Sequence, residues 1–196
     1  MADTPHLAIA VLAAGSSRRF GEADKLKAKF RGKPLGLHAS DTLAQMPCRE
    51  GDRILVTADP HHACSRGWKQ AGFTIVKNPN ADEGMGTSVA VAARVARRAG
   101  CDALLIALAD MPLVPRAHYQ ALASAALARG DDAIIASSDG TSRMPPAAFG
   151  KAHFDTLAQM SGDQGARVIL AQGKTIVCPP EWLADIDTRE ALAALG

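Results

Sequence analysis

A loop of small polar residues with basic side chains close behind it is the part of this chain best suited to chemistry. The apolar run from Leu7 to Leu12 is typical of a buried strand, and the stretch LAAGSSRRFG at 12–21 overlaps its end. Small residues let the backbone turn tightly and present N–H groups to an anion. We predict a triphosphate-binding loop rather than a plain strand-to-helix turn. Its residues are Leu12, Ala13, Ala14, Gly15, Ser16, Ser17, Arg19 and Lys25.

Two further segments offer carboxylates at predicted strand or helix ends. Asp110 follows the apolar run 103–109, and Pro112 stops that strand from simply continuing. Mg²⁺ takes one or two carboxylates plus phosphate oxygens, so Asp110 needs one helper. Either Asp185 or Asp187 could complete the site. The alternatives are structural, with Asp110 starting a turn or capping a helix, and Asp187 or Thr188 capping the last helix.

A polar loop at 77–89 could hold a flat heterocycle. Its glycines permit close backbone approach, and its amide and hydroxyl groups match the edge of a nucleotide base. The alternative is a helix capped by Thr87 or Ser88. The candidate nucleotide-binding residues here are Asn78, Gly84, Met85, Thr87 and Ser88.

The elements that must position these residues alternate along the chain. Nearly continuous apolar runs predict strands at 7–12, 53–57, 73–77, 103–109, 133–137 and 174–178. Helical spacing recurs near 35–46, 61–71, 87–99, 116–129, 164–172 and 188–195. This alternation predicts a three-layer α/β/α sandwich around a mostly parallel sheet, formed by a single domain at 1–196. The segment 139–149, with two prolines and no periodicity, is predicted to be a loop or an edge excursion.

Composition excludes several classes of function. A formal charge of +2 with 21% charged residues is ordinary and does not favour nucleic acid as a partner. The apolar runs are too short to span a membrane. The four cysteines lack C-x-x-C spacing, which predicts reduced thiols, a cytoplasmic location and no zinc site. The pair His61-His62 is predicted to lie on the surface.

Several ordered motifs together resemble one enzyme family. They are LAAGxSxRxG at 12–21 with Lys25, GKPL at 32–35, NPxxxxGMxTSV at 78–89, LADMP at 108–112, GDQGAR at 162–167 and DIDT at 185–188. This set is similar to the nucleotidyltransferases that include the molybdenum-cofactor cytidylyl- and guanylyltransferases. The resemblance implies a Rossmann-like nucleotidyltransferase fold. It also implies that Arg19 and Lys25 contact the nucleotide phosphates and that Asp110 and Asp187 bind magnesium.

The implied reaction is attack by an acceptor phosphate on the α-phosphorus of a nucleoside triphosphate, with release of pyrophosphate. Ala13-Ala14 stands where relatives that use GTP tend to carry two glycines, so CTP is favoured. By the same resemblance molybdopterin is the best acceptor, with a molybdoenzyme or its chaperone as the protein that receives the product. The acceptor-binding residues would be Pro145, Asp163 and Arg167. Two alternatives stay open: a transferase acting on a sugar phosphate or another small molecule, and a nucleotide-binding chaperone without turnover.

Overall fold

The computed structural model of this chain describes residues 5–15, 20, 24–162 and 164–195, without the side chains of 164–167. Within those residues the strands are β1 (Leu7–Leu12), β2 (Lys29–Phe30), β3 (Lys33–Pro34), β4 (Arg53–Thr57), β5 (Thr74–Lys77), β6 (Ala103–Leu108), β7 (Ile134–Ser138), β8 (Arg143–Gly150) and β9 (Lys174–Val177). The helices are α1 (His38–Ala44), α2 (Ser65–Gln70), α3 (Met85–Arg98), α4 (Arg116–Arg129), α5 (Phe154–Leu157), α6 (Gln164–Ala171) and α7 (Arg189–Leu195).

Seven of these strands form one sheet in the order β5-β4-β1-β6-β8-β7-β9. All of its pairs are parallel except those that β8 makes with β6 and β7. β2 and β3 form a separate hairpin whose two-residue turn, Arg31-Gly32, has positive φ at both positions. A glycine at the second position relieves the strain of such a turn. The predicted α/β class and mostly parallel sheet are confirmed.

Two hydrophobic layers cover the sheet, one on each face. Side chains of β1 alternate between them: Leu7, Ile9 and Val11 point to one layer, and Ala8, Ala10 and Leu12 to the other. The first layer includes α1, α2 and α4, and the second includes α3, α5 and α6. A third, smaller cluster contains Phe20, Phe30, Leu35 and Ile186. In the part of the chain described, no helix is long and apolar enough to cross a membrane.

The prediction that 139–149 is a loop or edge excursion was wrong, because β8 lies inside the sheet between β6 and β7. Its pairing with β7 skips Pro145 and Pro146: Ala136 faces Ala147, whereas Ser137 faces Met144. Proline has no N–H to give to a ladder, and an irregularity of this kind is where a strand tolerates it. The two prolines therefore led the sequence analysis to miss β8, although the irregular pairing with β7 accommodates them.

Candidate active site

Three distant segments meet beyond the carboxyl ends of the parallel strands. Lys25 lies in a short 3₁₀ turn, Asp110 follows β6, and Asp187 precedes α7. The Lys25 Nζ donates to Asp110 Oδ2 at 2.6 Å and to Asp187 Oδ1 at 2.5 Å. Open parallel sheets bind their ligands at this edge. The structure thus brings together three of the side chains that the sequence singled out.

The electrostatics of this cluster keep Lys25 charged. Its side chain is 8% exposed, and burial alone would lower the pKa of the ammonium. The charges and hydrogen bonds of Asp110 and Asp187 outweigh that effect and raise the pKa above its ordinary value. The two carboxylates face the same ammonium group of Lys25, and together they favour a cation at this position.

Other residues stand at the capping positions of the helices that follow these carboxylates. Thr188 Oγ1 accepts the backbone N–H of Ala191 and so caps α7, which confirms the alternative made for Thr188 rather than for Asp187. Pro115, rather than Asp110, precedes α4 as its capping residue. Both carboxylates are consequently directed to Lys25. The backbone N–H of Ile186 also donates to the carbonyl of Asp110 at 3.0 Å, which fixes the two acidic segments side by side.

The charges of Asp110 and Asp187 also influence the pKa of Asp185. The pKa of Asp185 is raised, first by desolvation of its carboxyl and then by the negative charges of Asp187 and Asp110. Asp187, and not Asp185, shares the ammonium of Lys25 with Asp110. The geometry therefore favours Asp187 of the two as the partner of Asp110.

The turn that carries Lys25 is held by residues that sequence reasoning missed. Asp24 Oδ1 accepts the backbone N–H of Leu26 at 3.0 Å, and Asp24 Oδ2 pairs with His62 Nε2 at 2.5 Å. The His62 ring stacks on Trp68 with centroids 5.1 Å apart. His62 is half-buried, so the prediction of a surface position was wrong for His62, whereas it is confirmed for His61, which is exposed. No ligand-like spacing surrounds His62 in the sequence, and only folding brings it to Asp24.

The loop after β1 is described only in part. The backbone N–H of Ala13 donates to Val56 O, and Leu12 O accepts from Ala109 N, so these groups continue the sheet. Among the described residues, Ala14 and Gly15 remain the candidates for backbone contact with an anion. Ser16, Ser17 and Arg19 lie outside the described residues, and their predicted roles stay predictions.

The 77–89 loop is held together by its own side chains. Buried Asn78 donates through Nδ2 to Thr87 Oγ1 at 2.8 Å and to Ser88 Oγ at 2.9 Å. Helix α3 begins at Met85 after Gly84, so the alternative of a cap at Thr87 or Ser88 was wrong. Thr87 instead donates to the carbonyl of Gly84. These groups shape the loop, and contact with a nucleotide base stays a prediction for it.

An apolar pocket lies beside this loop. Met85, Ile106, Pro145, Met160 and Ile169 contribute to its lining. Pro145 is thereby placed near the start of α3, on the same side of the sheet. Asp163 and the side chain of Arg167, the other predicted acceptor-binding residues, lie outside the described part of the chain.

The sequence places this fold in a family of nucleotidyltransferases. A family model for the MobA-like NTP transferase domain matches residues 9–176, and the chain belongs to this family. The resemblance found from the motifs is confirmed.

Three relatives show how the sequence varies. Purine catabolism protein PucB of Bacillus subtilis (strain 168) is 31% identical over 180 residues, which are 87% of this chain and 83% of the relative. Nicotine blue oxidoreductase of Paenarthrobacter nicotinovorans is 30% identical over 203 residues, with 98% of both chains covered. The probable molybdenum cofactor guanylyltransferase of Pyrococcus horikoshii is 40% identical over 70 residues, 36% of this chain and 34% of the relative.

Solved structures agree on the fold. Rv0371c from Mycobacterium tuberculosis H37Rv superimposes with a TM-score of 0.76 at 23% identity, and 98% of both chains is covered. A second crystal structure of that protein, in complex with manganese, gives a TM-score of 0.68 at 21% identity over 98% of both chains. At these identities the similarity establishes the architecture of this chain.

Proposed function

We propose that this chain transfers a nucleoside monophosphate from a nucleoside triphosphate to a phosphorylated small molecule, with magnesium bound at Asp110 and Asp187. The observation that carries the proposal is the position of Lys25 Nζ, 2.6 Å from Asp110 and 2.5 Å from Asp187 at the ligand-binding edge of the sheet. The relative from Pyrococcus horikoshii is named for this type of reaction.

The donor set fits a hard cation. Both groups are carboxylates that lie beside the same Lys25 ammonium, so together they would supply the one or two carboxylate ligands that Mg²⁺ takes beside phosphate oxygens. Manganese, which shares this preference for oxygen ligands, is bound by Rv0371c. When bound, the metal would neutralise charge on the phosphates and orient them.

In this type of reaction the protein mainly positions the reacting phosphates and neutralises their negative charge. An oxygen of the acceptor phosphate forms a bond to the α-phosphorus, and the bond from that phosphorus to the pyrophosphate oxygen breaks. Lys25 places a fixed positive charge beside the reacting phosphates, and Arg19 would hold the remainder of the triphosphate. Ala14 and Gly15 offer backbone N–H groups to the same anion. No nucleophilic side chain is required.

The neighbouring loops support a proposal for the two substrates. Ala13-Ala14 favours CTP, and the 77–89 loop would carry the base. Pro145 lines the small apolar pocket beside that loop, and molybdopterin is the acceptor we propose. Asp163 and Arg167 would contact its polar groups. A molybdoenzyme or its chaperone would then receive the product, and we place the whole activity in one domain at 1–196 in the cytoplasm.

Release of pyrophosphate tests the proposal. The protein is incubated with Mg²⁺, molybdopterin and each of CTP, GTP, UTP and ATP in turn. We expect acceptor-dependent release with CTP, reduced by about 10²-fold or more in Asp110→Ala. Asp132→Ala, which alters an exposed residue before β7, is the matched control and should keep full activity. Normal turnover in Asp110→Ala would overturn the assignment of the site.

The same assay separates the alternatives. Release with a sugar phosphate in place of molybdopterin identifies a different acceptor on the same machinery. Nucleotide binding without release in any arm identifies a chaperone. Because one relative is named an oxidoreductase, binding of NADH and NADPH is measured in parallel. Preference for either dinucleotide over every triphosphate would contradict the transferase proposal.

A further inference from the structure

A second group of metal-binding side chains lies at the opposite edge of the sheet from Lys25. His6, Asp52 and Cys101 each offer one ligand atom, and these three atoms lie within 4.8 Å of one another. They precede β1, β4 and β6, three adjacent parallel strands. Six residues of β1 span about 20 Å, so this cluster is remote from the nucleotide site.

Two of the three ligand residues, His6 and Asp52, are held by backbone hydrogen bonds to neighbouring strand segments. Asp52 O accepts from Ile9 N at 2.9 Å, and His6 O accepts from Asp102 N at 2.7 Å. The His6 backbone N–H donates to Asp102 Oδ2 at 3.0 Å, and His6 Nε2 contacts Asp52 Oδ2 directly. Asp52 and Cys101 are buried. The cluster is therefore built on rigid elements, as a preorganised metal site requires.

A second thiol stands close by. Cys48 donates its S–H to Leu7 O at 3.4 Å, next to His6 in the chain. Cys48 lies outside the group of three residues whose ligand atoms converge within 4.8 Å. Imidazole, carboxylate and thiol together form a mixed set of donors of the kind that zinc binds.

We propose that His6, Asp52 and Cys101 form a binding site for a zinc-class divalent cation that ties together the amino ends of β1, β4 and β6. The site is independent of the transferase centre: it includes a sulfur and a nitrogen donor beside the Asp52 carboxylate, whereas Asp110 and Asp187 offer oxygen alone. Binding displaces the thiol proton of Cys101 to solvent and changes no oxidation state.

Titration of the reduced, intact protein with Co²⁺ tests this site without reference to nucleotide chemistry. We expect one thiolate-coordinated ion per chain, seen as a thiolate-to-cobalt absorption band that carboxylates at the Lys25 site cannot produce, and displacement of that ion by Zn²⁺. Cys101→Ser should weaken binding by more than about tenfold and abolish the band. Cys178→Ser, which alters another buried cysteine, is the matched control and should retain it.

A second measurement uses the wild-type protein, so that its result does not depend on whether a variant folds. Thiols are alkylated with and without Zn²⁺, and the modified peptides are mapped. Protection of Cys101, with Cys178 unchanged, supports the site. No cobalt band in the wild type, or equal alkylation with and without zinc, would show that the cluster is only a structural hydrogen-bonded group and would overturn the proposal.

Discussion

The backbone N–H of Ile186 donates to the carbonyl oxygen of Asp110 at an N–O distance of 3.0 Å. This bond fixes the segment before α7 against the end of β6, and it places Asp187 beside Asp110. The Ile186 side chain is buried in the small cluster with Phe20, Phe30 and Leu35. A hydrophobic anchor thus flanks the carboxylate that shares Lys25, and this packing explains how such a distant segment completes the site.

Lys25→Met should destabilise the protein by about 1–3 kcal/mol at pH 7, because two partly buried carboxylates lose their shared cation. The pKa of Lys25 is raised on folding, so this contribution is fully present below the unfolded value of 10.5 and is lost as pH rises through the higher folded pKa. Urea unfolding from pH 7 to pH 11 measures the difference. Lys33→Met, which removes the exposed pair with Asp41, should cost less than about 1 kcal/mol.

Asp187→Asn should lower transferase activity by about 10²-fold or more, while Asp185→Asn should stay within about fivefold of wild type. The reason is geometric, because Asp187 and not Asp185 shares Lys25 with Asp110. Initial rates over a range of Mg²⁺ concentrations distinguish the two variants. A larger loss in Asp185→Asn would mean that Asp185 is the second metal ligand.

Gly86→Ala should cost about 1–3 kcal/mol, because its Cβ would lie 2.5 Å from the carbonyl oxygen of Gly162. The backbone N–H of Gly86 donates a hydrogen bond to that oxygen at 2.8 Å. Moving the two segments apart would break this bond and so cost free energy. In Gly15→Ala the added Cβ meets nothing within 4 Å among the residues that the structure describes, and the variant should keep its stability while nucleotide binding weakens. Thermal unfolding and nucleotide titration of both variants check this pair, and equal stability loss in the two would contradict it.

His118→Gln should make the protein less sensitive to acid. His118 is buried, its Nε2 lies 2.8 Å from Ser137 Oγ, and burial lowers its pKa below 6.5. Because the unfolded chain then binds more protons, stability falls as pH drops from 6.5 through the folded pKa, at up to about 1.4 kcal/mol per pH unit. Unfolding midpoints between pH 8 and pH 5 should decline less in His118→Gln. His38, whose pKa is also lowered by burial, retains a similar contribution in both proteins.

The strands that sequence predicted well are those whose pattern is local. β1 and β4 were predicted with the bounds observed, and β5, β6, β7 and β9 to within one residue at each end, because buried parallel strands are nearly continuous apolar runs. β8 was missed because its interior position depends on partners on both sides, and its prolines fit only through the irregular pairing at Ser137. No local pattern contains that information.

Sequence by itself determined the class of the fold, the family and the residue types at strand ends, since these depend on periodicity and on motifs a few residues long. Tertiary structure decided which of those residues meet. Lys25 and Asp187 share a hydrogen bond although 162 positions separate them. His6, Asp52 and Cys101 converge only because three parallel strands begin at the same edge. Contacts across a sheet depend on strand order and register. The residue spacing within a single segment determines neither of them.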